Sequence, residues 1–204
     1  MTFQKNTTSF FFLLIASCCV FFVSGNLTAE SNQATVPLNI TVAGKLIITD
    51  SENDNKSGTN PTLNVNLKLV PDLNSSVVSG SSSIRIRTNL SSWKLTAQRS
   101  DLSNPTANIN PEDISLNFTT QAGSKGNPDA GKLLSPFNKV SNLSQISSNG
   151  PTDVLIGVSK TSLDRDPENK NNWFQLTSNY SVSPDFFYEI GEWNTVVSYS
   201  LVSP

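Results

Sequence analysis

Leu63, Val65, Leu67 and Leu69 alternate with Asn64, Asn66 and Lys68, and that period restricts what the segment can become. Successive side chains of an extended strand point to opposite faces, so a period of two places the leucines and valine on a dry face and the polar residues in water. A helix built from the same residues would scatter its apolar groups around the whole cylinder. The signature returns at Leu38, Ile40 and Val42, at Ile84 and Ile86 against Arg85 and Arg87, at Ile114, Leu116 and Phe118, at Val154, Ile156 and Val158, and at Val197, Tyr199 and Leu201. Further strands are expected at 45–49, 93–98 and 173–180. No stretch beyond residue 30 has the spacing of an amphipathic helix.

Turn-formers separate these runs over 50–61, 71–83, 100–111, 123–131, 148–151 and 164–172. Short half-buried strands with such punctuation describe an all-β antiparallel sandwich, immunoglobulin-like or Greek-key, of about 8 to 10 strands. The connections are longer than minimal hairpins, which favours a sandwich with decorated loops over a tight barrel. Most of the later aromatic residues, from Trp173 and Phe174 to Tyr199, cluster near the C-terminus. The expectation is that the C-terminal strands carry much of the core, with Phe186, Phe187 and Tyr188 packed inside; the competing reading makes those three an exposed binding patch.

Lys5 precedes the apolar run from Phe10 to Val23, followed by Ser24, Gly25 and polar Asn26. A charged start, an apolar middle and a small-residue exit are the parts of a secretory signal, with Val23 and Gly25 where a signal peptidase reads. The run is about 14 residues, short of the roughly 20 that span a bilayer. The expected organisation is a signal peptide over 1–25, a polar flexible leader over 26–36, and one sandwich domain over 37–204, giving a secreted, cell-surface product with no transmembrane helix in the mature chain. Ile15-Ala16-Ser17-Cys18 also fits a bacterial lipobox, which keeps open a lipoprotein anchored through Cys18.

The chain has no histidine, and its two cysteines, Cys18 and Cys19, both lie in the export segment. The usual neutral-pH acid/base, the thiolate nucleophile and the ordinary zinc ligands are therefore missing from the mature part. Gly-x-Ser-x-Gly is absent, and Asp164 with Asp166 sits in a turn-like charged stretch, so the expectation is a protein that is not an enzyme; a secreted hydrolase is the remote alternative. A net charge of −2 with 15% charged residues supplies no basic footprint for nucleic acid. No cofactor is expected apart from calcium, for which Asp50, Glu52 and Asp54 offer hard oxygens in one loop. That loop lacks the glycine and distal glutamate of an EF-hand, and an ordinary polar turn is the competing reading. Nine Asn-x-Ser/Thr sites occur, close to what the Asn, Ser and Thr content alone produces.

Two elements resemble the WxL domain of bacterial cell-surface proteins. The first is Trp93-Lys94-Leu95-Thr96. The second is the closing segment, in which Trp193 is followed six residues later by Tyr199-Ser200-Leu201 and the chain ends at Pro204. Tyr199 stands where that family carries its second tryptophan. The resemblance marks Trp93, Leu95, Trp193, Tyr199 and Leu201 as motif and core anchors, and it implies a secreted β-sandwich held non-covalently on the envelope, in that family on peptidoglycan. The function expected is structural or adhesive, with cell-wall glycan or another surface protein as partner. The alternative is a pilus- or coat-like filament subunit that self-assembles by strand addition through an exposed edge.

Overall fold

The computed structural model describes residues 40–51, 64–101 and 106–204. Among the described residues of the compact unit Val42–Pro204, nine strands form: β1 (Leu46–Asp50), β2 (Val78–Thr88), β3 (Trp93–Asp101), β4 (Ser115–Ala122), β5 (Gly131–Leu133), β6 (Ser141–Asn142), β7 (Thr152–Gly157), β8 (Phe174–Val182) and β9 (Thr195–Val202), with one 3-10 turn at Leu143–Gln145. They make two antiparallel sheets packed face to face. Sheet A runs β1-β2-β8-β4-β6 and sheet B runs β5-β7-β3-β9. The expected all-β sandwich is therefore the fold.

Alternation explains most of it. On β2, Ile84, Ile86 and Thr88 point inward, while Ser83, Arg85 and Arg87 point out. Outside, Ser83 Oγ and Thr177 Oγ1 share a hydrogen bond of 2.8 Å, Arg85 Nε donates to Gln175 Oε1, and the Arg85 guanidinium lies 4.1 Å from the Trp173 ring centroid. Inside, Leu116 and Phe118 of β4 and Phe174 and Leu176 of β8 meet Trp93, Leu95 and Ala97 of β3 and Leu155 of β7. Loop residues Ile114, Phe137, Leu143 and Ile146 complete the core. Trp93 meets Phe174 edge-on at 6.2 Å between centroids, and Phe118 meets Phe137 likewise at 5.5 Å.

Five readings need correction. The stretch 64–70 alternates in exposure as expected, and Leu67 and Leu69 pack against the core, yet it is irregular chain and not a strand. Val65 and Leu67 lie over Gly80 of β2, within 2.8 and 2.9 Å of where a Cβ would stand, so the alternation records which side faces the sandwich and not a ladder. Ile40 and Val42 also lie in irregular chain; Leu38 and Leu63 fall outside the described residues. Within the expected turn 71–83, β2 already begins at Val78.

The fourth correction concerns β7. Val154 and Leu155 are both fully buried, whereas Ile156 and Val158 are 42% and 59% exposed. Leu95 pairs with Leu155 but Thr96 pairs with Asp153, which leaves Val154 as an extra residue opposite the break. A bulge lets two consecutive side chains enter the core and reverses the parity of everything after it. Fifth, the C-terminal aromatics divide: Phe174 of β8 is buried in the core as expected, whereas the tip aromatics are not. Trp93, Phe118 and Phe137 are at most 4% exposed, while Phe186 and Phe187 are 72% and 71% exposed. Trp193, Tyr199 and Leu201 are half-buried at its margin.

Candidate functional site

The two Trp-x-Leu-like elements lie side by side. β3 and β9 pair antiparallel, with Leu95 opposite Leu201 and Ala97 opposite Tyr199. Trp93 and Leu95 are wholly buried. The indole N–H donates to the Ser159 carbonyl at 2.8 Å, which satisfies the one polar atom of a buried ring. The ring has room because Gly157 of β7 faces it: a Cβ there would lie 2.0 Å from the indole. Tyr199 reaches inward so that its hydroxyl shares a hydrogen bond of 2.9 Å with Ser178 Oγ of sheet A. Burial of that hydroxyl pushes the phenol well above its ordinary range, and the neighbouring Tyr180 adds to the rise. The motif side chains thus tie the sheets together from within, with Trp193 packed against the edge of the same core.

Because strand side chains alternate, burying the Trp and Leu positions turns the intervening ones outward. Lys94, Thr96 and Gln98 of β3 and Ser198, Ser200 and Val202 of β9, with Pro151 and Asp153, line an open trough of about 510 Å³ on the outer face of sheet B. Lys94 Nζ reaches both oxygens of Asp153 at 3.1 Å. Thr96 Oγ1 donates to the Ser200 carbonyl, and Gln98 Nε2 donates to the Ser148 carbonyl. The lining sets three hydroxyls, one amide and a single ion pair among apolar surface that includes Pro151 and Val202. Sequence reasoning missed this trough, although its outward residues follow directly from the alternation around Trp93 and Tyr199.

A second feature stands at the end of the sandwich where β8 leaves for β9. The connection 183–194 is fastened to the 106–113 segment. Asn108 Nδ2 donates to the Phe187 carbonyl while its Oδ1 accepts from the Glu189 amide at 2.8 Å. The Thr106 and Ala107 amides donate to the Glu192 carbonyl, and Thr106 Oγ1 accepts from the Glu192 amide. Asp185 Oδ1 accepts from the Phe187 amide. This holds Phe186, Phe187 and Ile190 in solvent, while Tyr188 turns back onto the core and packs edge-on against Phe187. Tyr188's phenol is raised, mainly by burial and then by the carboxylates of Asp113 and Asp185.

The other sequence candidates are not brought together. Asp50 closes β1, whereas Glu52 and Asp54 fall outside the described residues, as does Cys18. Among the described residues no group of three or more carboxylates is arranged to hold a metal, and no helix is long and apolar enough to cross a membrane. Asp164 pairs with Lys125 at 3.5 Å, and Asp166 Oδ2 accepts from the Asn171 amide. Both carboxylates brace a loop. No protein-family profile matches the chain, and no curated protein matches it.

Proposed function

We propose that the chain is an exported, non-catalytic surface protein that binds a cell-wall glycan along the outer face of sheet B. The trough carries this reading. A sugar presents hydroxyls that both donate and accept, and Gln98, Ser198 and Ser200 can do the same over a floor that includes Thr96, with no unpaired charge to desolvate and with apolar Pro151 and Val202 beside them. An open depression that follows two paired strands also suits a polymer better than the closed pocket in which small ligands are normally enclosed. The resemblance to the WxL domain points to the same surface. Its large residues fix β3 and β9 from inside, and the residues between them form the trough floor.

The lining speaks against hydrolysis of that glycan. Asp153 is its only carboxylate and is bound to Lys94, whereas glycoside cleavage needs two carboxyl groups about 5 to 9.5 Å apart. Co-sedimentation with purified bacterial cell walls tests the proposal. The protein should pellet with the walls, be released by soluble wall fragments, and leave the glycan chains uncut. Folded protein that stays in the supernatant contradicts it.

A further inference from the structure

The tip and the far corner of sheet B complement each other. Phe186, Phe187 and Ile190 are 72%, 71% and 103% exposed, on a loop fastened by the hydrogen bonds of Asn108, Thr106 and Asp185. Apolar side chains preordered in solvent lose little freedom on docking, which is the usual character of a binding anchor. Residues 106–118 and 183–196 include Glu112, Asp113, Asp185, Glu189 and Glu192 but no lysine or arginine, and Arg99 of β3, which reaches the same end opposite Val197, is buried. That acidic charge opposes an anionic lipid surface or a phosphate-bearing polymer and suits an apolar surface flanked by cations.

Such a surface exists on the same chain. Lys132 of β5, Ile156 of β7 and Lys94 of β3 form one cross-strand row on the outer face of sheet B. Ile156 and Val158 are exposed beside the lysines because the bulge at Val154 turned them outward. Lys94 already holds Asp153, and Lys132 is exposed on the other side of Ile156. The row lies level with Val202, at the end of β9, while the tip precedes its start at Thr195. An eight-residue strand separates the two by about 25 Å, so the tip of one copy does not reach its own corner. We infer that copies of this chain associate head to tail, the acidic aromatic tip of one seating on the Lys132-Ile156-Val158 corner of the next. Contacts between unlike patches leave one of each exposed at the ends, so such an assembly grows open-ended. It uses side chains, in contrast to the main-chain pairing of strand addition, and stands apart from the glycan reading.

The test is sedimentation velocity on the full chain, on Phe187→Ser/Ile190→Ser, and on Lys132→Glu/Ile156→Thr. All four positions are exposed, and near-UV circular dichroism verifies that the variants stay folded. The parent should show oligomers beyond the dimer that grow with concentration and recede with added salt. Each variant should weaken association by about tenfold or more. An equimolar mixture of the two variants should form a one-to-one dimer and nothing larger, because one intact tip and one intact corner remain. The N-terminal segment is common to all samples and cannot produce a difference between them. A parent that stays monomeric at every concentration, variants that assemble like the parent, or a mixture that stays monomeric would each overturn the inference. None of the four positions lines the trough, and Phe187 and Ile190 lie at its far end, away from Lys94, so wall binding measured on Phe187→Ser/Ile190→Ser can fail or persist independently.

Discussion

At the scale of single residues, Trp93 is the anchor on which both sheets depend. It is fully buried, faces Gly157 without a gap and meets Phe174 across the sandwich. Trp93→Ala should cost about 3 to 5 kcal/mol in a denaturant titration, the usual loss for truncating a core aromatic. Gly157→Ala should destabilise by about 1 to 3 kcal/mol for the converse reason, since the added methyl has to displace the indole. Tyr199 gives a pH signature. In the unfolded chain its phenol ionises near pH 10, whereas in the fold burial holds it protonated to higher pH. The raised folded value means stability is fully present below about pH 10 and is lost as the pH climbs from there through the folded pKa. Tyr199→Phe should therefore cost about 0.5 to 1.5 kcal/mol at neutral pH, through the lost bond to Ser178. It should also reduce the alkaline loss; an unchanged fall in stability above pH 10 would assign that loss to other groups. Trp93 and Leu95 as core anchors were legible from sequence because a Trp-x-Leu spacing on a strand puts both residues on one face. The buried hydroxyl of Tyr199 was not, since its partner Ser178 lies on the other sheet.

At the scale of elements, β7 shows where period-two reading stops. Val154, Ile156 and Val158 have the spacing of an inward face, but a bulge adds one residue and moves Leu155 into the core in place of Ile156. Nothing in the local sequence marks it, because its warrant lies in how β7 pairs with β3. Ile156→Thr should change stability by no more than about 0.5 kcal/mol, and Leu155→Ala should cost about 2 to 5 kcal/mol; the opposite ranking in chemical denaturation would mean the strand is regular. The tip loop follows the competing reading, exposure of Phe186 and Phe187, and departs from the expected burial for a related reason. A run of aromatics predicts burial by composition, but Phe186 and Phe187 belong to a connection whose orientation is set by hydrogen bonds from Asn108 and Thr106, some 80 residues earlier. Removing the Asn108 amide should free the loop without loosening the sandwich. In Asn108→Ala, amide hydrogen exchange at 187–190 should speed up while that of β2, β3 and β8 keeps its protection. Equal loss throughout would make the staple part of the core.

At the scale of the molecule, the sandwich separates three tasks. Its interior is held by Trp93, Leu116, Phe118, Phe137 and Phe174, its sheet B exterior offers a hydroxyl-lined trough, and one end displays an acidic aromatic tip. The all-β class was readable because half-buried strands impose alternation on sequence. The outward residues of the trough follow from the same alternation, but their pairing does not, nor does the fastening of the tip, because each joins segments distant in the chain, such as Lys94 with Ser200 or Asn108 with Glu189. The WxL-like pair connects the two levels: the residues that make the resemblance are internal, and the surface they position is the one proposed to meet the wall. Chemical-shift mapping of the isotope-labelled protein with soluble, uncleaved wall glycan fragments tests that claim most directly. Binding along the trough predicts shifts concentrated at Lys94, Thr96, Gln98, Asp153, Ser198 and Ser200, with the amides of 186–190 unmoved. Shifts confined to the tip, or no shifts at saturating glycan, would contradict it.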